Sequence, residues 1–263
     1  MREELLRTFS KAGIEAGDVL FVHSDVAPVI AAGNIFRPGE TLSFFTESFL
    51  EALGPLGTLV VPTFNYDFCR GEAYSHEKSP SQVGLWSNHV LRDPRSKRSF
   101  HPIFSAAAVG AKAESLTCGV SKSSFGEDSL FHRLHVQNAK LVFFNASFYY
   151  CTFIHYVEQK IGVDYRFLKP FTGKVSIGGQ ERVDSFDFYV RYLDRDVVLD
   201  LTRLEKNLLS DGRMKKTMFK ESFVVQVSCA DVFDEAAKRV TAEPYYLLKH
   251  PPVIPKCQTS SSS

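Results

Sequence analysis

The run Asp18-Val19-Leu20-Phe21-Val22-His23 holds four apolar residues between an aspartate and a histidine, after a turn signal at Ala16-Gly17. A strand covered on one face alternates apolar with polar; one that is apolar throughout is covered on both. Outward from it, Pro38-Gly39-Glu40 opens a helical pattern with Leu42, Phe45, Phe49 and Leu53 on one stripe, and Gly54-Pro55 stops it. Gly57-Thr58-Leu59-Val60-Val61-Pro62 is a second continuous strand. Ser79-Pro80-Ser81, a hydroxyl cap with proline in the first turn, starts a helix leading to Leu91. Ile103 to Val109 and Lys140 to Asn145 repeat the apolar strand. Such strands separated by helices predict the α/β class, with a largely parallel sheet covered on both faces.

The texture changes after about residue 170. Lys174 to Val183 reads as a strand, a Gly178-Gly179 turn and a return strand, and Phe186 to Leu193 alternates at period two. Phe223 to Val227 is a further strand and Ala230 to Val240 a short amphipathic helix. The expected organisation is an α/β catalytic region over 1–170, a smaller α+β lobe with antiparallel strands over 171–255, and a polar, disordered tail over 256–263.

Composition narrows the function. Apolar content of 44% and charged content of 23% in 263 residues are those of an ordinary globular protein. A net charge of +1 argues against nucleic acid, which needs a broad cationic surface. No segment approaches the roughly 18 apolar residues of a membrane span, and Met1 to Arg7 lacks a signal peptide's apolar core. Five widely spaced cysteines, Cys69, Cys118, Cys151, Cys229 and Cys257, without a C-x-x-C, indicate reduced thiols in a cytoplasmic protein and no metal site. A homodimer is compatible with these features.

Chemistry concentrates at strand ends, where open parallel sheets bind ligands. His23-Ser24-Asp25 ends the first strand, Thr63-Phe64-Asn65-Tyr66-Asp67 follows the second, and Thr152 to Glu158 follows the Lys140 strand after a short loop. His155 and Glu158, three apart on a helix, share a face, and a carboxylate beside an imidazole fixes its tautomer and raises its basicity. Asp67 could hold an amine or sugar hydroxyls; Asn65 stands beside it, and His101 either meets the substrate or supports a loop. Cys151, four residues before His155, allows a Cys–His acyl-enzyme as an alternative. No G-x-G-x-x-G or Walker loop is present.

Together, Gly17-Asp18-Val19-Leu20-Phe21-Val22-His23-Ser24, Gly57 to Thr63, Arg98-Ser99-Phe100-His101-Pro102, Phe125-Gly126 with Ser129-Leu130, and Thr152 to Glu158 resemble, in order, the signatures of the aminoglycoside 3-N-acetyltransferase family. The resemblance spans residues 15–165. It implies acyl-coenzyme-A-dependent N-acyl transfer on an α/β fold distinct from the common acetyltransferase fold, with acyl-CoA as co-substrate and no permanently bound cofactor. It also implies His155 as catalytic base, with Glu158 either orienting it or binding the ammonium of the acceptor. His23, Ser24, Asp25, Arg98, Ser99, Phe125, Gly126 and Ser129 become candidates for binding CoA, with the loop from Ser24 to Gly33. Two stretches depart from the family pattern, Asp25-Val26 and Ile30-Ala31-Ala32-Gly33-Asn34-Ile35, and both fall near the acyl-donor loop. Scattered cations after residue 190, including Arg191, Arg195, Arg203, Arg213, Lys215 and Lys216, favour an anionic acceptor, a nucleotide-linked amino-deoxyhexose, over an aminoglycoside. The remaining alternative is a catalytically idle acyl-CoA-binding protein.

Overall fold

The computed structural model describes residues 1–28 and 38–253. The stretch 30–35 and the tail 256–263, on which two expectations rest, lie outside the described residues. In chain order the first half runs α1 (Arg2–Lys11), β1 (Val19–Ser24), α2 (Pro38–Leu53), β2 (Thr58–Pro62), β3 (Tyr74–Ser75), α3 (Leu85–Leu91), β4 (Lys97–Arg98), β5 (Ala106–Gly110) and α4 (Ala113–Thr117). There follow α5 (Leu130–Val136), β6 (Lys140–Phe144), α6 (Phe153–Ile161), β7 (Arg166–Ile177), β8 (Gln180–Arg191), α7 (Thr202–Ser210), β9 (Lys215–Phe219), β10 (Ser222–Ser228) and α8 (Cys229–Ala242).

Seven strands form the main sheet in the order β4-β5-β2-β1-β6-β10-β9. Its centre, β2-β1-β6, is parallel, as the continuous apolar strands predict. Both flanks are antiparallel: β5 returns along β2 with β4 beyond it, and β10 and β9 extend the other edge. Leu20 and Val22 of β1 belong to one apolar cluster, with Phe9, Phe45, Phe49 and Trp86, while Phe21 belongs to the opposite one, with Phe143, Phe131 and Val157. Burial on both faces is therefore real, and it continues into β5 and β10, while the edge strands β4 and β9 are largely exposed.

Three local readings change. Phe223–Val227 lies within β10, so the chain beyond residue 170 contributes to the main sheet as well as to the small one. Phe186 to Leu193 is no separate strand; through Arg191 it is the second half of β8. Ser79-Pro80-Ser81 is irregular and leads into a turn-like bend at 82–83, and the helix begins at Leu85 after Gly84 at φ +135°. Asn88 ties that stretch down, accepting from Ser81 N at 2.9 Å and donating to Ser81 O at 2.8 Å.

The smaller sheet is a long antiparallel hairpin, β7–β8, with β3 beside β7. Its turn, Gly178-Gly179, has φ +58° and +77°, the doubly positive geometry that two glycines adopt without strain. The hairpin's register sets Arg166 opposite Arg191.

Candidate active site

β6 ends at Phe144, and Asn145, at φ +53°, turns the chain and donates its side-chain amide to Asp25 O at 3.1 Å. Ser147 caps a short 3-10 turn over Phe148–Tyr150, and α6 begins three residues later at Phe153. Phe153, Ile154, Tyr156 and Val157 are buried, which pins the helix and leaves His155, its side chain 20% exposed, at the carboxyl end of the parallel strands.

His155 Nδ1 lies 2.6 Å from Glu158 Oε2. Glu158 is fully buried, and the same oxygen is 2.7 Å from Nε of Arg166, itself 7% exposed. Burial pushes the Glu158 carboxyl up, but Arg166 and the His155 hydrogen bond outweigh it and the net shift is downward, so Glu158 is a carboxylate. For His155, burial and the Arg166 charge lower the pKa against the raising effect of Glu158, and the net direction is down. The imidazole is neutral at pH 7, its Nδ1–H donates to Glu158, and Nε2 carries the free lone pair. Phe125 sets its ring 5.5 Å from the imidazole, edge to face.

Two cavities meet at His155 and share Arg166 and Arg191. One, of about 360 Å³, is lined by Tyr149, Tyr150, Thr152 and Leu199; the other, of about 660 Å³, by Phe167, Lys169, Phe171 and Phe188. A third, of about 690 Å³, is lined by His76, Lys97 and Arg98 and shares no residue with them. Without a dyad of this kind, it is no centre for base chemistry.

The other expected site residues divide by what their polar atoms already do. Arg98 donates to the carbonyls of His76 and Ser79 at 2.8 and 2.7 Å, clamping the loop after β3. Buried Ser99 accepts from Ala106 N, and Ser129 caps α5 by accepting from His132 N. These bonds hold all three side chains within the fold. His101 is buried, with Nδ1 accepting from Ile103 and Phe104 N and its pKa down at about 4 by burial; it is a neutral loop support. A side chain at Gly126 would meet Ser123 Oγ at 2.6 Å, so this glycine permits the close loop that carries Phe125.

His23, stacked 5.3 Å from Phe143, is held neutral by burial with its pKa down at about 3, and its Nε2 has no hydrogen-bond partner. Ser24 is half-buried and Asp25 exposed at the end of β1, the latter accepting from Ala27 N. Asn65 donates to Pro80 O and accepts from Asp67 N. Asp67 is held below the usual carboxylate range by hydrogen bonds from Arg70 and Gln82, so its charge is already paired. Cys151 is buried and its thiol pushed up to about 12, which leaves no thiolate to attack at neutral pH. Among the described residues no cluster of acids, histidines and cysteines could hold a metal ion, and no helix is long and apolar enough to cross a membrane.

Sequence reading missed Arg166 and Lys169 and noted Arg191 only for its charge; all three come from the β7–β8 hairpin and line the larger cavity at His155. The one available signal was Arg166 itself, a charged residue between Tyr165 and Phe167 at a strand start, where a buried cation demands a carboxylate partner.

A neutral imidazole backed by a buried carboxylate, facing open cavities at the end of a parallel sheet, is an arrangement suited to general-base chemistry. The profile of the aminoglycoside 3-N-acetyltransferase family matches residues 29–241, and the chain belongs to that family of acyl-CoA-dependent N-acyltransferases. An aminoglycoside N(3)-acetyltransferase IV from Salmonella sp is 27% identical over 256 residues, covering 95% of this chain and 91% of the relative. The solved structure of AAC-IIIb with CoASH aligns at TM-score 0.77 and 17% identity, over 92% of this chain and 96% of that one. An AAC(3)-IVa point mutant in complex with gentamicin aligns at TM-score 0.74 and 22% identity, over 95% and 91%.

Proposed function

We propose that this chain transfers the acyl group of acetyl-CoA to an amino group of an aminoglycoside, with His155 as general base. The observation that carries the reading is the 2.6 Å contact from His155 Nδ1 to Glu158, which leaves Nε2 free where two cavities meet. An ammonium group cannot attack a thioester until it loses a proton. That proton goes to solvent; as the neutral amine attacks, His155 Nε2 takes a second proton from its nitrogen, and Glu158 stabilises the imidazolium as it forms. The amine nitrogen bonds to the thioester carbonyl carbon, the tetrahedral intermediate collapses with loss of the C–S bond, and the proton passes from His155 to the departing thiolate. Cys151 takes no part, which favours direct transfer over an acyl-enzyme.

Relatives in complex with CoASH and with gentamicin support the donor and the acceptor class. They lend nothing to a nucleotide-linked amino-deoxyhexose, so the aminoglycoside reading replaces that expectation. Ser24 and Asp25, at the end of β1, remain the donor-side candidates. The test is thiol release from acetyl-CoA with gentamicin, apramycin and a nucleotide-linked amino sugar. Turnover of at least one aminoglycoside is expected; turnover confined to the nucleotide sugar would overturn the acceptor, and thiol release with none of them would overturn the reading.

A further inference from the structure

The larger cavity at His155 has a charge its family name does not suggest. Its walls are aromatic, from Phe167, Phe171 and Phe188, and its charged lining is Arg166, Lys169, Arg191 and Asp194. Lys169 is exposed, with Nζ 5.0 Å over the Phe171 ring. Arg191 is exposed as well, and its NH1 donates to Val197 O at 2.6 Å. Neither has a carboxylate in ion-pair range among the described residues. Arg166 is buried against Glu158, and Asp194, the lone acid of the lining, faces Arg195 at 3.8 Å. A polycation entering here meets two unpaired cations of its own sign, while an anionic group finds charge and donors waiting.

We propose that this cavity takes an amine acceptor carrying a phosphate or carboxylate, so that the chain acylates anionic amino sugars in addition to aminoglycosides. The proposal rests on the N-acyltransfer reading for its chemistry: the ammonium gives one proton to solvent, the amine bonds to the acyl carbon, the C–S bond breaks, and a second proton from the nitrogen leaves on the thiol of CoA. Lys169 and Arg191 hold the anion and are binding residues; they set which amine reaches His155 Nε2. The aromatic walls cover the apolar face of the sugar ring.

The test compares glucosamine with glucosamine 6-phosphate, with gentamicin alongside, in wild type, Lys169→Ala, Lys169→Glu and Arg191→Gln. Thiol release gives kcat/KM, and calorimetry gives the affinity for glucosamine 6-phosphate independently of turnover. Wild type should prefer the phosphate-bearing sugar by about tenfold or more, the scale of one charge-assisted contact. That preference should vanish in Lys169→Ala, and Lys169→Glu should raise kcat/KM for gentamicin. Equal kcat/KM for both sugars, or no detectable binding of glucosamine 6-phosphate, overturns the inference while gentamicin turnover keeps the N-acyltransfer reading. A higher KM for acetyl-CoA in the variants, with the sugar preference intact, would instead assign these cations to the donor's phosphates. If no amine turns over, the N-acyltransfer reading fails, and the calorimetry still decides whether the cavity holds the anion.

Discussion

Glu158→Gln separates the two jobs of one carboxylate. In the wild type, Oε2 lies 2.6 Å from His155 Nδ1 and 2.7 Å from Arg166 Nε, so a single oxygen balances a guanidinium and orients an imidazole. Glutamine keeps the shape and removes the charge, which leaves Arg166, 7% exposed, as an unpaired buried cation. Breaking a buried pair in this way costs about 3–5 kcal/mol, a fall in Tm of roughly 6–20 °C for a domain of this size. Turnover should fall by about two to four orders of magnitude, the scale of general-base catalysis, because Arg166 now opposes the imidazolium with nothing to offset it. The two effects come apart in Glu158→Gln/Arg166→Met, where most of the Tm should return because no unpaired charge remains, while turnover stays low. Thermal unfolding and thiol release from acetyl-CoA with gentamicin measure both. If Glu158→Gln keeps its Tm within 2 °C and its turnover within a few-fold, neither the ion pair nor the dyad acts as argued.

His155→Ala should cut turnover by about two to four orders of magnitude with folding intact, and Cys151→Ala should stay within a few-fold; a trapped acyl-enzyme in the wild type would reverse that ranking. His23, His101 and His155 all have folded-state pKa values below the ordinary 6.5, so the unfolded chain binds protons that the folded chain does not. Their contribution is therefore full above about pH 6.5 and lost as pH falls, by up to about 1.4 kcal/mol per pH unit for each imidazole; urea midpoints at pH 7 and pH 5 check this, and equal midpoints would contradict it. The acid limb of kcat/KM should likewise titrate below pH 6.5, and a limb above 7 would mean that His155 is charged in the free enzyme. Gly110 has φ +133°, and a Cβ there would sit 2.2 Å from Gly57 O, so Gly110→Ala should cost about 2–4 kcal/mol in a denaturant titration.

What the residues disclosed before any coordinates follows a physical line. Apolar runs such as Asp18 to His23 reveal burial on both faces, because burial is a property of the side chains themselves. Strand direction is a property of the connections, so β5, equally apolar, gave no sign of running antiparallel, and Phe223 to Val227, read as part of the antiparallel lobe, gave no sign of joining the main sheet. Gly178-Gly179 was legible because its backbone demand is local. His155 and Glu158 were legible for the same reason, three residues apart on one helix. Arg166 completes that pair from another element, and no spacing rule reaches across the gap. Ser99 and Ser129 carry signature positions and also hold a loop and cap a helix, a structural job the motif itself did not announce.

The division between α6 and the hairpin also bears on how such an enzyme changes its acceptor. α6 supplies His155 and Glu158, held by buried Phe153, Ile154 and Val157. The hairpin supplies Lys169, Phe171, Phe188 and Arg191, whose side chains line the cavity without supporting His155. Substitutions at those four positions can redraw the cavity's charge and shape while the dyad keeps its geometry. Arg166 is the exception, since it both lines the cavity and neutralises Glu158. A change there alters the basicity of His155 together with the binding surface. Acceptor preference in this chain should therefore vary at Lys169 and Arg191 with turnover on the preferred amine retained, whereas a substitution at Arg166 should cost turnover with every acceptor alike.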